Sequence, residues 1–405
     1  MAVDSMNIRL RISGVRVLDV DDQDNQLSVE VASISSVSRC PWCGWKTNKV
    51  HEVKRTKVRD LPYGGRQATL IWHRRRFSCA NCSERHTECH PQFVGTRRLV
   101  TRRLQTTATR EARESTISAV SRRYFLCWAL VMAWVKTAAE IAAKRRRAKA
   151  PKVLLIDEKS MRKGSHRYMT VFSDGESGAV IAMIRGRTSL QVGTWLAERG
   201  PKWCKGVDVV VTDMSSSYRA AIRRHLSGAT HVVDRFHVVR LVLGARTEVR
   251  RRIQRRGPKG TRPAFEPEVF ATRYLTAKRA DHLTSKEAEA VARVLGRYPE
   301  LARAWEVVQR FHRFYEAGDE TAADSALDDW AIHMTENPIA EFRTVIKTLA
   351  AWADEIVAFH EVDRRTNGPL EGRMAKVEVL KRTAYGFKNP DNFAARTLLI
   401  SPAAA

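Results

Sequence analysis

The chain has 405 residues, 43% of them hydrophobic, and carries a formal net charge of +27 from 71 Lys and Arg against 44 Asp and Glu. That length fits roughly two to four domains with cores of their own. Its longest apolar stretch, the 11 residues Phe125 to Val135, is too short to span a bilayer, and so positive a charge points to nucleic acid ahead of a membrane surface.

Residues 1–95 are predicted as a β-rich module. Ile8, Leu10 and Ile12 alternate, as do Leu27, Val29 and Val31, around the acidic turn Asp19 to Asn25. Cys40-Pro41-Trp42-Cys43 and Cys79-Ala80-Asn81-Cys82 are two knuckles that can offer four thiolates to one structural zinc, with Leu70 to Phe77 as a strand of the same ribbon. The other reading of these cysteines is four free thiols. No secretory leader is apparent, and seven cysteines, an odd number, suit metal binding in a reducing cytoplasm better than disulfides. His86, Cys89 and His90 lie nearby and are read as bystanders.

Residues 96–150 lose the alternation and read as helical. Arg97, Arg98, Arg102 and Arg103 fall on one side, and with Arg74, Arg75 and Arg76 they are the candidate DNA contacts. Ser115 to Arg123 and Phe125 to Thr137 have the spacing of a helix-turn-helix, but the second helix is too apolar for a major groove and reads as core. Lys144 to Lys149, before Pro151, reads as a basic linker.

Residues 151–236 are predicted to hold three strands in hairpin order, then helix, strand, helix and strand. That order resembles a ribonuclease-H-like mixed sheet, whose first and fourth strands are neighbours. Val153 to Ile156 is an apolar run ending on Asp157, and Val207 to Thr212 ends on Asp213. Residues 237–360 read as an α-helical insertion. Residues 361–405 return to the core, where Glu371 follows Pro369 at the start of a helix. Three acids on rigid elements can hold two divalent cations for phosphodiester chemistry. Singly, each has a plainer reading: Asp157 and Asp213 as turn formers, Glu371 as a helix-capping acid. Asp234 and His237 are secondary candidates, either supporting the site or merely starting a helix.

The blocks CPWCG with FSCANC, LLIDEKSMRKG, VVTDMSSSYRAAI, VVDRFHVV and TNGPLEGRMAKVEVLKRTAYGFKNPDNFAAR together resemble the DDE transposases of bacterial insertion sequences, specifically the ISL-three family. The resemblance implies a multidomain α+β chain: zinc ribbon, helical DNA-binding segment, and a ribonuclease-H-like catalytic domain interrupted by helices. It implies Asp157, Asp213 and Glu371 as the catalytic triad, with magnesium or manganese. It also implies strand cleavage and transfer on double-stranded DNA, at the terminal inverted repeats and at the target. Pairing two ends calls for a homodimer or larger assembly, in the bacterial cytoplasm beside the nucleoid and away from membranes. The rivals are a nuclease that cuts without joining, and a zinc-ribbon DNA-binding regulator or decayed copy without cleavage.

Overall fold

A computed structural model describes residues 10–95, 98–161, 168–254, 266–362, 364, 366 and 368–401, without the side chains of 369–371, 373 and 374. The chain divides into two compact units, Met1–Ile141 and Ala142–Ala405.

The first unit contains the strands β1 (Val15–Gln23), β2 (Gln26–Ser33), β3 (Ser38–Arg39), β4 (Lys46–Thr47), β5 (Val50–Arg59), β6 (Gln67–Ser78), β7 (Arg85–Thr87), β8 (Phe93–Val94) and β9 (Leu99–Thr101). Seven of them form one sheet in the order β1-β2-β6-β5-β9-β8, with β7 on β6, while β3 and β4 form a separate pair. The alternation read in β2 is real: Leu27, Val29 and Val31 are buried with Leu70 and Trp72 of β6. β6 is thus a central strand of the whole module, and only its end, where Phe77 and Ser78 pair with β7, reaches the knuckles.

Three helices follow: α1 (Arg102–Glu111), α2 (Ile117–Arg123) and α3 (Trp128–Arg147). The hydroxyls of Thr101 and Thr116 cap the first two, accepting from Leu104 N and Ala119 N. Phe125 has φ 53°, which breaks the helical path, so α3 starts at Trp128 and not at Phe125 as the sequence suggested. Of the expected linker Lys144 to Lys149, the part up to Arg147 is helical as well. Arg146 is buried and donates to the carbonyls of Val180 (3.0 Å), Leu398 (3.0 Å) and Ser401 (2.7 Å).

The second unit is built on β10 (Val153–Ser160), β11 (Tyr168–Asp174), β12 (Val180–Arg185), β13 (Val209–Thr212) and β14 (Thr230–Val233), in the order β12-β11-β10-β13-β14. β10 to β12 pair antiparallel; β13 and β14 run parallel to β10. The connecting helices α4 (Ser189–Ala197), α5 (Pro201–Cys204) and α6 (Ser216–His225) contribute Trp195, Trp203 and Ile222 to a core with Leu154, Ile156, Phe172 and Val210. Then come α7 (Arg235–Gln254), α8 (Pro267–Ala271), α9 (Ser285–Arg297), α10 (Pro299–Glu316), α11 (Glu320–Glu336), α12 (Arg343–Ala351), α13 (Ala353–Glu361), α14 (Gly368–Thr383) and α15 (Pro390–Ile400).

A buried acid ties α13 to α6. Glu355 of α13 accepts from Arg219 of α6 at 2.5 Å and from Arg223 at 3.4 Å, and the Arg219 guanidinium lies 3.4 Å from the Trp352 ring centroid. Removing one partner of a buried pair leaves the other charge uncompensated. Glu355→Ala is therefore expected to lower unfolding free energy by about 3–5 kcal/mol, read from the urea midpoint. An unchanged midpoint would mean that the network contributes nothing.

Candidate active site

The parallel register pairs Leu155 with Val211 and Ile156 with Thr212, so the next step brings Asp157 level with Asp213. Leu154 and Ile156 point into the core beneath α4 and α6; by alternation Asp157 points the other way. Asp157 is not the end of its strand, as the sequence suggested. β10 continues to Ser160 against β11, and Asp157 sits where the parallel partner stops. A strand flanked on one side only holds the carboxylate rigidly while leaving one edge open to a ligand.

Burial, and then the negative charge of Asp213, push the Asp157 carboxyl up to about 6. His237, in the first turn of α7, puts Nε2 2.8 Å from Asp213 Oδ1, and this contact holds its imidazole above the usual histidine range. Asp234 is buried just before that helix; its N–H donates to Thr212 O and its carbonyl accepts from His237 N. Both secondary candidates therefore stand beside the acid pair. Two oxygen-donor side chains that repel each other in a partly dry site suit a hard divalent cation, which would relieve the repulsion.

Glu371 lies on α14, but its side chain is outside the described residues. Lys381, further along that helix, donates to Ser160 O at 2.9 Å and so ties α14 to the end of the Asp157 strand.

In the first unit the Sγ atoms of Cys40, Cys43, Cys79 and Cys82 all lie within 4.8 Å of one another. Each knuckle closes the same way: Gly44 N–H donates to Cys40 O at 2.9 Å, and Ser83 N–H to Cys79 O at 3.0 Å. Both turns need a left-handed residue, met by Gly44 (φ 73°) and, at some strain, by Ser83 (φ 61°). The donor set fits tetrahedral zinc. His86 stacks on Phe77 with Nε2 2.9 Å from Ser38 Oγ, Cys89 is exposed, and His90 packs on Phe93, all apart from the sulfur cluster.

The candidate DNA-contacting arginines are largely engaged within their unit. Arg75 forms a pair with Glu88 (2.5 Å), Arg103 with Asp60, and Arg76 with Glu52 (3.4 Å). Arg74 and Arg102 donate to the carbonyls of Glu88 (2.7 Å) and Pro91 (3.1 Å). Arg98 is exposed, and Arg97 lies outside the described residues. Sequence reasoning missed two cations near Asp213: Arg187, paired with Glu158 at 3.0 Å, and Arg240. The spacing of Arg240, three residues beyond His237 on one helix face, was the available signal.

A family profile described as "Transposase", that of the ISL3 DDE enzymes, matches residues 154–397. A second, the zinc-finger of transposases IS204, IS1001, IS1096 and IS1165, matches residues 36–82. The chain is 26% identical over 354 residues to the transposase for insertion sequence element IS1001 of Bordetella parapertussis, covering 86% of this chain and 85% of that one. It is 25% identical over 264 residues to the transposase for insertion sequence element IS1557 of Mycobacterium tuberculosis, covering 60% and 59%. The first profile takes in both aspartates and Glu371 and spans more than half of the sequence, so the chain belongs to the DDE transposases of the ISL-three family.

Proposed function

We propose that this transposase binds the terminal inverted repeats of its insertion sequence, cuts the DNA strand there and joins the freed 3′-hydroxyl to target DNA, with Asp157, Asp213 and Glu371 as the catalytic acids. The observation that carries this reading is the register that sets Asp157 beside Asp213 on adjacent parallel strands. Two divalent ions, magnesium or manganese, would supply charge stabilisation to the attacking and leaving oxygens when bound. Asp157 and Asp213 would hold both ions and Glu371 one. His237 orients the Asp213 carboxylate through its 2.8 Å contact. Both steps are phosphoryl transfers that need no protein nucleophile.

The sheet order β12-β11-β10-β13-β14 supports a ribonuclease-H-like core at residues 151–236 and 361–405, with 237–360 as its helical insertion. Residues 1–95 would be the zinc-ribbon module, holding one structural zinc on Cys40, Cys43, Cys79 and Cys82, and residues 96–150 a further DNA-binding segment. The charge of +27 supports a DNA partner, and pairing of two ends calls for at least a homodimer. Among the described residues no single helix is long and apolar enough to cross a membrane, and the family suggests a cytoplasmic enzyme.

The test is strand cleavage and joining on DNA carrying the inverted repeats that flank the gene, with magnesium present or chelated. Metal-dependent joined product is expected. Nicks without joining would mean a nuclease, and salt-sensitive binding indifferent to magnesium, without cleavage, a regulator.

A further inference from the structure

A cleft of about 900 Å³ opens beside Asp213, between the start of α6, the face of α7 and α12. Its composition is divided. Leu241, Gly244 and Val345 make an apolar wall, while Arg240 and the hydroxyls of Ser216 and Ser217 supply polar groups. Arg240 is exposed and makes no ion pair or hydrogen bond with the described residues, whereas Arg187 across the cleft is already neutralised by Glu158. Glu341, also in the lining, accepts from Arg252 with Oε1, and its Oε2 is buried without a hydrogen-bond partner.

Gly244 is the most informative residue. It sits mid-helix in the 20-residue α7, where glycine is the poorest helix former after proline, and a Cβ built there would meet nothing within 4 Å. The missing side chain keeps the helix backbone itself as part of the wall. Packing inside the protein does not require it.

We propose that this cleft seats one unpaired nucleotide of the DNA strand next to the scissile phosphate, its base against Leu241, Gly244 and Val345 and its phosphate on Arg240. The inference rests on reading Asp157 and Asp213 as the reaction centre. The volume is in the range of sites for nucleotide-sized ligands and far too small for a duplex. An apolar wall accepts any base face, and a free guanidinium binds phosphate by charge-assisted hydrogen bonds. Because Asp213 shares the lining, a strand with its reacting phosphate at the acids has only its neighbouring nucleotide within reach of the cleft. Taking that nucleotide out of the duplex has a cost, smallest where it is already mismatched.

Gly244→Leu tests this without endangering the fold, since leucine is the better helix former and has open space to enter. Its melting temperature is expected at or above that of the wild type. With 2-aminopurine placed singly at nucleotides flanking the cleavage position, wild-type protein in chelator should brighten one position at least about twofold on binding, as that base leaves the stack. Gly244→Leu should bind without that rise. In magnesium, a mismatch at the same position should speed wild-type cleavage by roughly tenfold and the variant much less. No brightening at any flanking position, or an equal rise in the variant, overturns the proposal. If wild-type protein binds and brightens but never cleaves, the catalytic reading fails while the nucleotide site stands.

Discussion

Asp157→Asn is expected to lose strand cleavage and joining by at least about 10³-fold, because the substitution keeps the shape of the side chain and removes the charge that would hold the metal. It should not cost stability. Asp157 is pushed up to about 6 by burial and by Asp213, so in metal-free protein at neutral pH the fold carries an ionised group that its surroundings disfavour. The sign is opposite to that of a salt-bridged acid: the folded state takes up the proton more readily than the unfolded chain. Stability from this group therefore rises as pH falls from about 6 towards the ordinary aspartate range near 4, by an amount on the order of 3 kcal/mol at most. Thermal melts in chelator should show the wild type gaining on the variant across that window, with Asp157→Asn at or above wild type at pH 7. Labelled transposon-end DNA resolved on a gel reads the chemistry. A variant that melts normally and still cuts at the wild-type rate would remove Asp157 from the site.

Much of this arrangement was legible in the sequence because local features carry it. Apolar runs that stop at a carboxylate, as at Asp157 and Asp213, mark buried strands, and the element order sets the two runs side by side. The CxxC knuckles are equally local, since each is closed by a hydrogen bond within five residues. What escaped depends on partners distant in the chain. β10 outlasts Asp157 because its antiparallel neighbour β11 reaches past the end of β13, which nothing inside the run itself reveals. Lys144 to Lys149 looks like a solvated linker, yet Arg146 satisfies carbonyls at Val180, Leu398 and Ser401. Arg75 and Arg103 look like free DNA-facing charges, and their acids, Glu88 and Asp60, are supplied by other elements of the sheet module. Charge counts describe the whole chain well and single arginines poorly, because an ion pair is decided by tertiary contact.

The second large effect is expected at the other end of the protein. Cys79→Ser should lose the bound zinc, measured as roughly one ion per chain in the wild type and almost none in the variant, and with it specific binding to the transposon ends. The sulfur cluster has little other support. Trp42 and Trp45, beside the first knuckle, are 62% and 54% exposed, so the tip of the ribbon buries few apolar groups. The Trp45 backbone N–H holds the Cys43 thiol down to about 6, which leaves a thiolate at neutral pH close to three further sulfurs. That thiolate is a ready ligand for a cation shared by all four sulfurs. Structural zinc contributes about 10–16 kcal/mol of apparent binding free energy in isolated fingers, enough to decide whether such a tip folds. The seven-stranded sheet has its own core in Val29, Val31, Leu70 and Trp72, so loss should be confined to the tip, with far-ultraviolet dichroism nearly unchanged. Strong chelator at neutral pH, and acid that protonates the thiolates, should reproduce the variant in wild-type protein, and added zinc should reverse both. Full zinc content in Cys79→Ser, or end binding indifferent to zinc, would make the four cysteines ordinary thiols and move DNA recognition to the helices after residue 101.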